Sequence, residues 1–302
     1  MTSEVAFDPD VFHGELTANR AQVFVRLPRI AGLEDCTLHG FVHGPRCEYA
    51  HTLPAKYPLN DLGAGPTLLA RATVTDPCFW TSDLPQIYDV QLELRRGSET
   101  LAREQRMIGL RGIGARATGL VREGKTWTPR GVAVELMEQN AQHLHDELLV
   151  GICSSPPLDL LVEASRRGAY LAAKISAANQ DVESTLRALA RWPAVMMAII
   201  RDGEHLDRST EQAAPNLLLV QAIQASKLNT IQPAPWAAAV VVELDAEQPV
   251  VPQIVRLAAK LPVLVQRSPL AEVSVATDAR MECDRLQRDL APLDQFAGYL
   301  IG

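Results

Sequence analysis

Acidic side chains placed just beyond short apolar runs are the residues in this sequence best suited to chemistry. Glu135 follows an apolar stretch at 130–134, Asp202 and Glu204 follow the seven-residue apolar run 194–200, and Glu243 and Asp245 follow another at 237–242. Two carboxyl groups facing each other across a cleft can break a glycosidic bond: one protonates the leaving oxygen while the other attacks the sugar carbon or activates water. Glu204 with Glu243, or Glu204 with Glu135, are the pairs to weigh for that chemistry. Acidic residues also gather at strand ends simply because loops meet water, so residue type alone does not decide between the two. His205 adjoins Glu204 and is the histidine expected nearest Cys153-Ser154-Ser155, a segment that could carry a nucleophile. His143 and His145 lie two apart on a predicted helix and point to different faces, so they cannot share a metal as residues four apart can. The five cysteines show no CxxC spacing, and no metal or cofactor site is expected.

Whether such carboxylates can meet depends on the elements that carry them. A continuous apolar run such as 194–200, closed by Arg201-Asp202-Gly203-Glu204, reads as a strand buried on both faces, the pattern of a parallel sheet. From 130 onward strands and helices alternate. Strands are predicted at 130–134, 148–153, 170–175, 194–200, 229–232, 237–242, 262–265 and 296–301. Helices are predicted at 136–146, 158–167, 182–191, 215–225, 251–260 and 275–290. Eight strands with intervening helices close naturally into a (β/α)8 barrel, whose chemistry sits at the C-terminal ends of its strands. A doubly wound open sheet is the runner-up. No helix fits between 232 and 237, so part of the outer ring is expected to be missing, with the exposed strand surface covered by the N-terminal domain or a second subunit. The barrel region is also well short of the roughly 250 residues usual for that fold, leaving short loops with which to hold a substrate.

Residues 7–112 follow a different pattern. Alternating stretches at 22–27, 37–42 and 88–94, with a turn at 95–99 leading into 100–107, predict an antiparallel β-sandwich. The domains are therefore expected at 1–115 and 116–302, with the glycines at 112, 114 and 119 in a linker.

The chain has 302 residues, of which 47% are hydrophobic, enough for substantial cores. A net charge of -7 and the absence of a basic run oppose a nucleic-acid partner. No signal peptide or membrane-spanning run is visible, so a cytoplasmic protein without membrane contact is expected.

Several short motifs then occur in a familiar order. Trp80-Thr81-Ser82-Asp83-Leu84-Pro85-Gln86-Ile87-Tyr88-Asp89-Val90, Gly109-Leu110-Arg111 and Gly124-Lys125-Thr126-Trp127-Thr128-Pro129-Arg130-Gly131-Val132 resemble segments of glycoside hydrolase family 2, the β-galactosidase and β-mannosidase group. This resemblance covers roughly 69–302 and implies an immunoglobulin-like sandwich followed by a TIM barrel. It also implies two glutamates, an acid/base after the fourth barrel strand and a nucleophile after the seventh. Aligned without gaps, those positions hold Gly203 and Arg267, and a glycine cannot donate a proton nor a guanidinium attack. The resemblance therefore implies a catalytically degenerate relative that binds a carbohydrate or protein, or serves as a homo-oligomeric building block. Asp202, Glu204, His205 and Arg267 are its candidate ligand-binding residues; Arg267 filling the barrel mouth, paired with Asp202 or Glu243, would count against a hydrolase, and two of Glu204, Glu243 and Glu135 facing each other across a pocket would count for one.

Overall fold

A computed structural model describes residues 7–28, 32–63, 65–137, 140–178, 181–245, 252–293 and 295–302. Glu138 and Gln139, inside one expected helix, and Val251, at the start of another, lie outside the described residues, as do residues 1–6 of the N-terminal segment. The chain divides into two compact units: Met1–Arg111 with Arg191–Pro193, and Gly112–Ala190 with Ala194–Gly302.

Among its described residues the first unit holds eight strands, β1 (Asp10–Thr17), β2 (Arg20–Pro28), β3 (Cys36–Arg46), β4 (Ala55–Pro58), β5 (Asn60–Asp61), β6 (Thr67–Thr75), β7 (Ile87–Arg96) and β8 (Glu99–Ile108). They form two antiparallel sheets, ordered β1-β2-β6-β5 and β4-β3-β7-β8. β2 shows why: Ala21, Val23, Val25 and Leu27 are buried and alternate with exposed or half-buried residues, so one face of the strand meets a core and the other meets water. Those side chains share a single core with Leu38 and Val42 of β3, Leu68 and Val74 of β6, and Val90, Leu92 and Leu94 of β7, which makes the two sheets a sandwich.

His13, on β1, is buried in this unit with Nδ1 3.1 Å from the Gly14 carbonyl. Burial holds its pKa down to about 4, and the nearby Arg111 guanidinium acts in the same direction. The folded state thus resists a proton that the unfolded chain accepts near 6.5. Stability is full above about 6.5 and falls as pH drops toward 4, by a few kcal/mol at most (~1.4 per pKa unit). Urea unfolding between pH 7 and 4 should show this slope, and His13→Leu should flatten it.

The second unit opens with a short meander where the sequence suggested a linker. β9 (Ile113–Arg116), β10 (Gly119–Arg122) and β11 (Lys125–Trp127) form a three-stranded antiparallel sheet in the order β11-β10-β9. The two-residue turn between β10 and β11 has positive φ at both Glu123 (52°) and Gly124 (76°), the primed geometry whose twist suits tight hairpins.

The expected barrel follows and is closed. Its parallel strands are β12 (Arg130–Ala133), β13 (Leu149–Cys153), β14 (Tyr170–Ser176), β15 (Val195–Arg201), β16 (Leu218–Gln224), β17 (Ala239–Leu244), β18 (Val263–Arg267) and β19 (Gly298–Ile301). β19 returns to β12, with Arg130 opposite Tyr299 and Gly131 opposite Leu300. The helices are α1 (Ala141–Asp146), α2 (Leu158–Arg167), α3 (Val182–Ala190), α4 (Thr210–Ala213), α5 (Pro252–Ala258) and α6 (Ala276–Leu290). α2 ends at Gly168, whose φ of 78° lets its N–H reach back to the Ala164 carbonyl at 3.0 Å.

One stretch differs from expectation. Residues 218–224 form the fifth barrel strand instead of a helix at 215–225, and residues 229–232, expected to be a strand, are turn and loop. Apart from Gln221, the run Leu217-Leu218-Leu219-Val220-Gln221-Ala222-Ile223 is apolar on every side, so its periodicity does not separate a strand buried on both faces from a buried helix. The connection from β16 to β17, residues 225–238, holds only a 3-10 turn at Ala225–Lys227. That connection packs back on the barrel: Trp236 is buried, and the Ala234 N–H donates at 2.7 Å to Oε1 of the fully buried Gln221. Strand surface expected to need a partner is thus covered here by the chain's own loop. Gln221→Leu, which strands that buried N–H, should lower stability by about 1–3 kcal/mol in urea unfolding. An unchanged midpoint would mean that the loop finds another acceptor.

Candidate functional site

The strand register defines the rim of the barrel mouth. Gln224, Glu243 and Gln266 lie opposite one another on β16, β17 and β18, and therefore share a face. Arg267, next along β18, reaches Asp289 of α6, with Nη2 donating to Oδ2 at 2.9 Å. Helices lie outside a barrel, so Arg267 faces outward and Gln266, Glu243 and Gln224 face the interior.

Glu243 is the hub of this rim. Arg201, the last residue of β15, donates through Nη2 to both carboxylate oxygens, at 2.6 and 2.7 Å. Lys174 of β14 brings its Nζ to 3.8 Å from Oε1. The Glu243 side chain is only 14% exposed, against 50% for Arg201. Burial lowers the pKa of Lys174; the charges of Glu243 and Glu135 pull it back up, and Arg201 pushes it down. Glu135 also lies within electrostatic reach of Cys153, whose thiol is pushed up to about 12, chiefly by burial. At neutral pH Cys153 is therefore a protonated, buried thiol and a poor nucleophile.

The residues singled out from the sequence are not gathered together. Glu243 and Glu135 belong to the rim, both within the field of Lys174. Glu204 and His205 are exposed in the turn after β15, and Glu204 makes no ion pair among the described residues. Asp202 is half-buried in a left-handed conformation, φ 57°. Arg267 does not occupy the mouth or pair with Asp202 or Glu243. The strand pleat sends it to the opposite face, where Asp289 supplies its counter-charge.

Gly203, at the position that the resemblance assigns to the acid/base, is buried on the outer side. Its carbonyl accepts the Trp236 indole N–H at 3.1 Å. A Cβ there would lie 2.9 Å from Trp236 Cζ2 and 3.0 Å from Ile200 Cγ2. A side chain at 203 would therefore start out into the Trp236 packing. Three of the four tryptophans offer little open surface for stacking a sugar: Trp80 and Trp236 are buried, and Trp127 packs on Tyr170 with ring centroids 5.8 Å apart, while Trp192 is half-buried.

Sequence reasoning missed Lys174, Arg201 and Gln266. The signal was present in Tyr170-Leu171-Ala172-Ala173-Lys174-Ile175-Ser176, where a lone charge interrupts an otherwise apolar strand. Chemically, the rim is a carboxylate with both oxygens engaged by a guanidinium and an ammonium alongside. It is an electrostatic latch in place of an open pair of carboxyl groups. No group of His, Cys, Asp and Glu suited to a metal occurs among the described residues. Gly203→Ala should cost about 1–3 kcal/mol in thermal unfolding through overpacking against Trp236; a neutral result would mean that the indole moves aside freely.

No family model matches the chain and no curated protein sequence matches it. Solved structures do. A β-glucuronidase from Bacteroides uniformis has a TM-score of 0.62 at 14% identity, covering 97% of this chain and 45% of its own. The β-glucuronidase of Bifidobacterium dentium complexed with coumarin-3-O-glucuronide has a TM-score of 0.67 at 12% identity, with 97% and 59% covered. A glycosyl hydrolase family 2 member from Bacteroides cellulosilyticus has 0.63 at 15%, with 97% and 43%. The chain spans about half the length of these proteins. At such identity the likeness is one of fold: a closed eight-stranded parallel barrel and antiparallel sheets like those of family 2 glycosidases.

Proposed function

We propose that this chain is a non-catalytic relative of family 2 glycoside hydrolases, an immunoglobulin-like sandwich and a reduced barrel with gaps in its helical ring. On this reading it acts by binding a carbohydrate or a protein, or as a homo-oligomeric structural unit. The observation that carries the reading is the state of the two positions where the resemblance calls for catalytic glutamates. Gly203 is packed under Trp236, and Arg267 is turned onto α6 and paired with Asp289. Retaining hydrolysis needs two carboxyl groups about 5 to 5.5 Å apart across the sugar. Five free cysteines suit a reducing compartment, and cytoplasmic residence is part of the proposal.

The alternative is an active hydrolase using relocated carboxylates, Glu204 with Glu243 or Glu135. It draws support from Glu135 and Glu243 both lying within reach of Lys174. Against it, Glu243 already accepts two hydrogen bonds from Arg201. A panel of aryl β-glucuronides, β-galactosides and β-mannosides separates the readings: release of the aryl alcohol should not exceed that in buffer. Turnover abolished by Glu204→Gln or Glu243→Gln would establish the hydrolase instead. Native mass spectrometry addresses the structural role, and a clean monomer at micromolar concentration would count against it.

A further inference from the structure

The outer face of the β4-β3-β7-β8 sheet carries a feature unrelated to the barrel. Across three strands the register aligns His39 with Glu93 and Arg103, and Phe41 with Gln91 and Gln105. These positions alternate with buried Leu38, Val42, Leu92 and Leu94, so they face away from the sandwich core. Together with Arg95 they line an open trough of about 630 Å3, within the range of small-ligand sites. At its centre is Gly40, φ 140°, where a Cβ would lie 1.9 Å from the Gln91 carbonyl oxygen. Only glycine lets β3 press this closely on β7.

The lining has a definite chemistry. Glu93 accepts from Arg95 Nε at 2.9 Å and from Arg103 Nε at 3.1 Å, so two guanidinium groups converge on one carboxylate. The other carboxylate in the trough, Glu104, is paired with Arg106. Among the lining residues this leaves a surplus of one positive charge, and Lys56 over the Phe41 ring adds a second cation at the edge, on a protein whose net charge is -7. Arg103 is 74% exposed, and its two terminal amino groups have no partner among the described residues. The side-chain amides of Gln91 and Gln105 are likewise open to a ligand.

Three requirements follow for an occupant. It must be hydrophilic, because the walls are amide, imidazole and guanidinium groups. It must both give and accept hydrogen bonds, which Gln91, Gln105 and His39 complement. It must bring about one negative charge to each guanidinium surplus, best as a carboxylate held in the planar fork of Arg103. A protein partner needs a buried apolar anchor, but the face of Phe41, the aromatic ring here, already carries Lys56 Nζ 3.5 Å from its centroid. A nucleic acid needs several cations along its backbone.

We propose that this trough is a binding site for a short acidic oligosaccharide, with Arg103 and Arg95 holding a sugar carboxylate and Gln91, Gln105 and His39 bonding neighbouring hydroxyls. The site is separate from the barrel mouth. Calorimetric titration of the full chain tests it, with trigalacturonate as the probe, cellotriose as the neutral control and inorganic phosphate as the simple-anion control. Saturable binding of trigalacturonate is expected, at least about tenfold tighter than either control. Arg103→Gln should weaken it about tenfold, the loss of roughly 1.4 kcal/mol, and Gln91→Ala should weaken it several-fold, with circular dichroism unchanged in both.

Absence of binding at millimolar trigalacturonate would overturn the proposal, as would equal binding of phosphate, which marks a simple anion spot. Unchanged affinity in both variants would do the same. Affinity lost in Glu243→Gln but kept in Arg103→Gln would move the ligand to the barrel mouth, refuting this site while leaving the proposed function standing. A protein captured through this face and released by Arg103→Gln would refute the saccharide in favour of a protein interface.

Discussion

Closure of the parallel sheet, β12 hydrogen-bonded to β19, is the constraint on which the second unit depends. An open eight-stranded sheet would present unpaired N–H and C=O groups along two edges. Joining them allows every strand to be apolar on both faces, as the wholly buried Val195–Ile200 and Leu218–Ile223 are. Polar groups are then admitted only at strand ends and at places where a specific partner waits. Gln221 is the instructive exception. It lies outward in the middle of a buried strand, where the loop over it supplies the Ala234 N–H to Oε1 while Nε2 has no partner among the described residues. That loop does the work that an outer helix does elsewhere in the ring.

The same closure fixes what the barrel mouth can contain. Apart from a register shift where β14 meets β15 at Leu171 and Ala172, inward and outward positions alternate along the strands, so a residue one step out of phase is on the wrong side of the wall. Gln266 faces inward while Arg267 faces α6; Glu243 faces inward and finds Arg201 and Lys174 beside it. The Glu243 carboxylate is consequently matched by cations from β14 and β15, beyond its immediate neighbour β16. This pairing satisfies charges that would be costly if half-buried and alone.

The sandwich obeys a looser rule. Its sheets are antiparallel and each has one face on the core, so the opposite faces are free to vary. That freedom lets β3, β7 and β8 display a polar grid of His39, Glu93, Arg103, Gln91 and Gln105 without loss to the core, where Leu38, Leu92 and Leu94 remain packed. A binding surface is less expensive to build there than in the barrel interior, where each polar group requires a buried partner.

Most of the architecture was legible from residues alone, because periodicity is a local property. The alternation in Arg20–Pro28 marks a half-buried strand, and the continuous apolar run before Arg201 marks one buried on both sides. That positions 203 and 267 hold a glycine and an arginine was equally visible. Local pattern failed where two structures bury the same residues: the run at 217–223 suits a buried helix as well as a buried strand, and only its place between β15 and β17 selects the strand. It failed again at 113–127, where paired turns with positive φ made a meander of an apparent linker. Direction and partnership were beyond sequence altogether. That Arg267 turns outward to Asp289 and that Arg201 and Lys174 close on Glu243 depend on register between segments well separated in the chain, and that Glu93 gathers Arg103 depends on the register of the β7-β8 hairpin. Register is set by the whole closed sheet and by the core it encloses, so composition decided which charges are present and tertiary structure decided which of them meet.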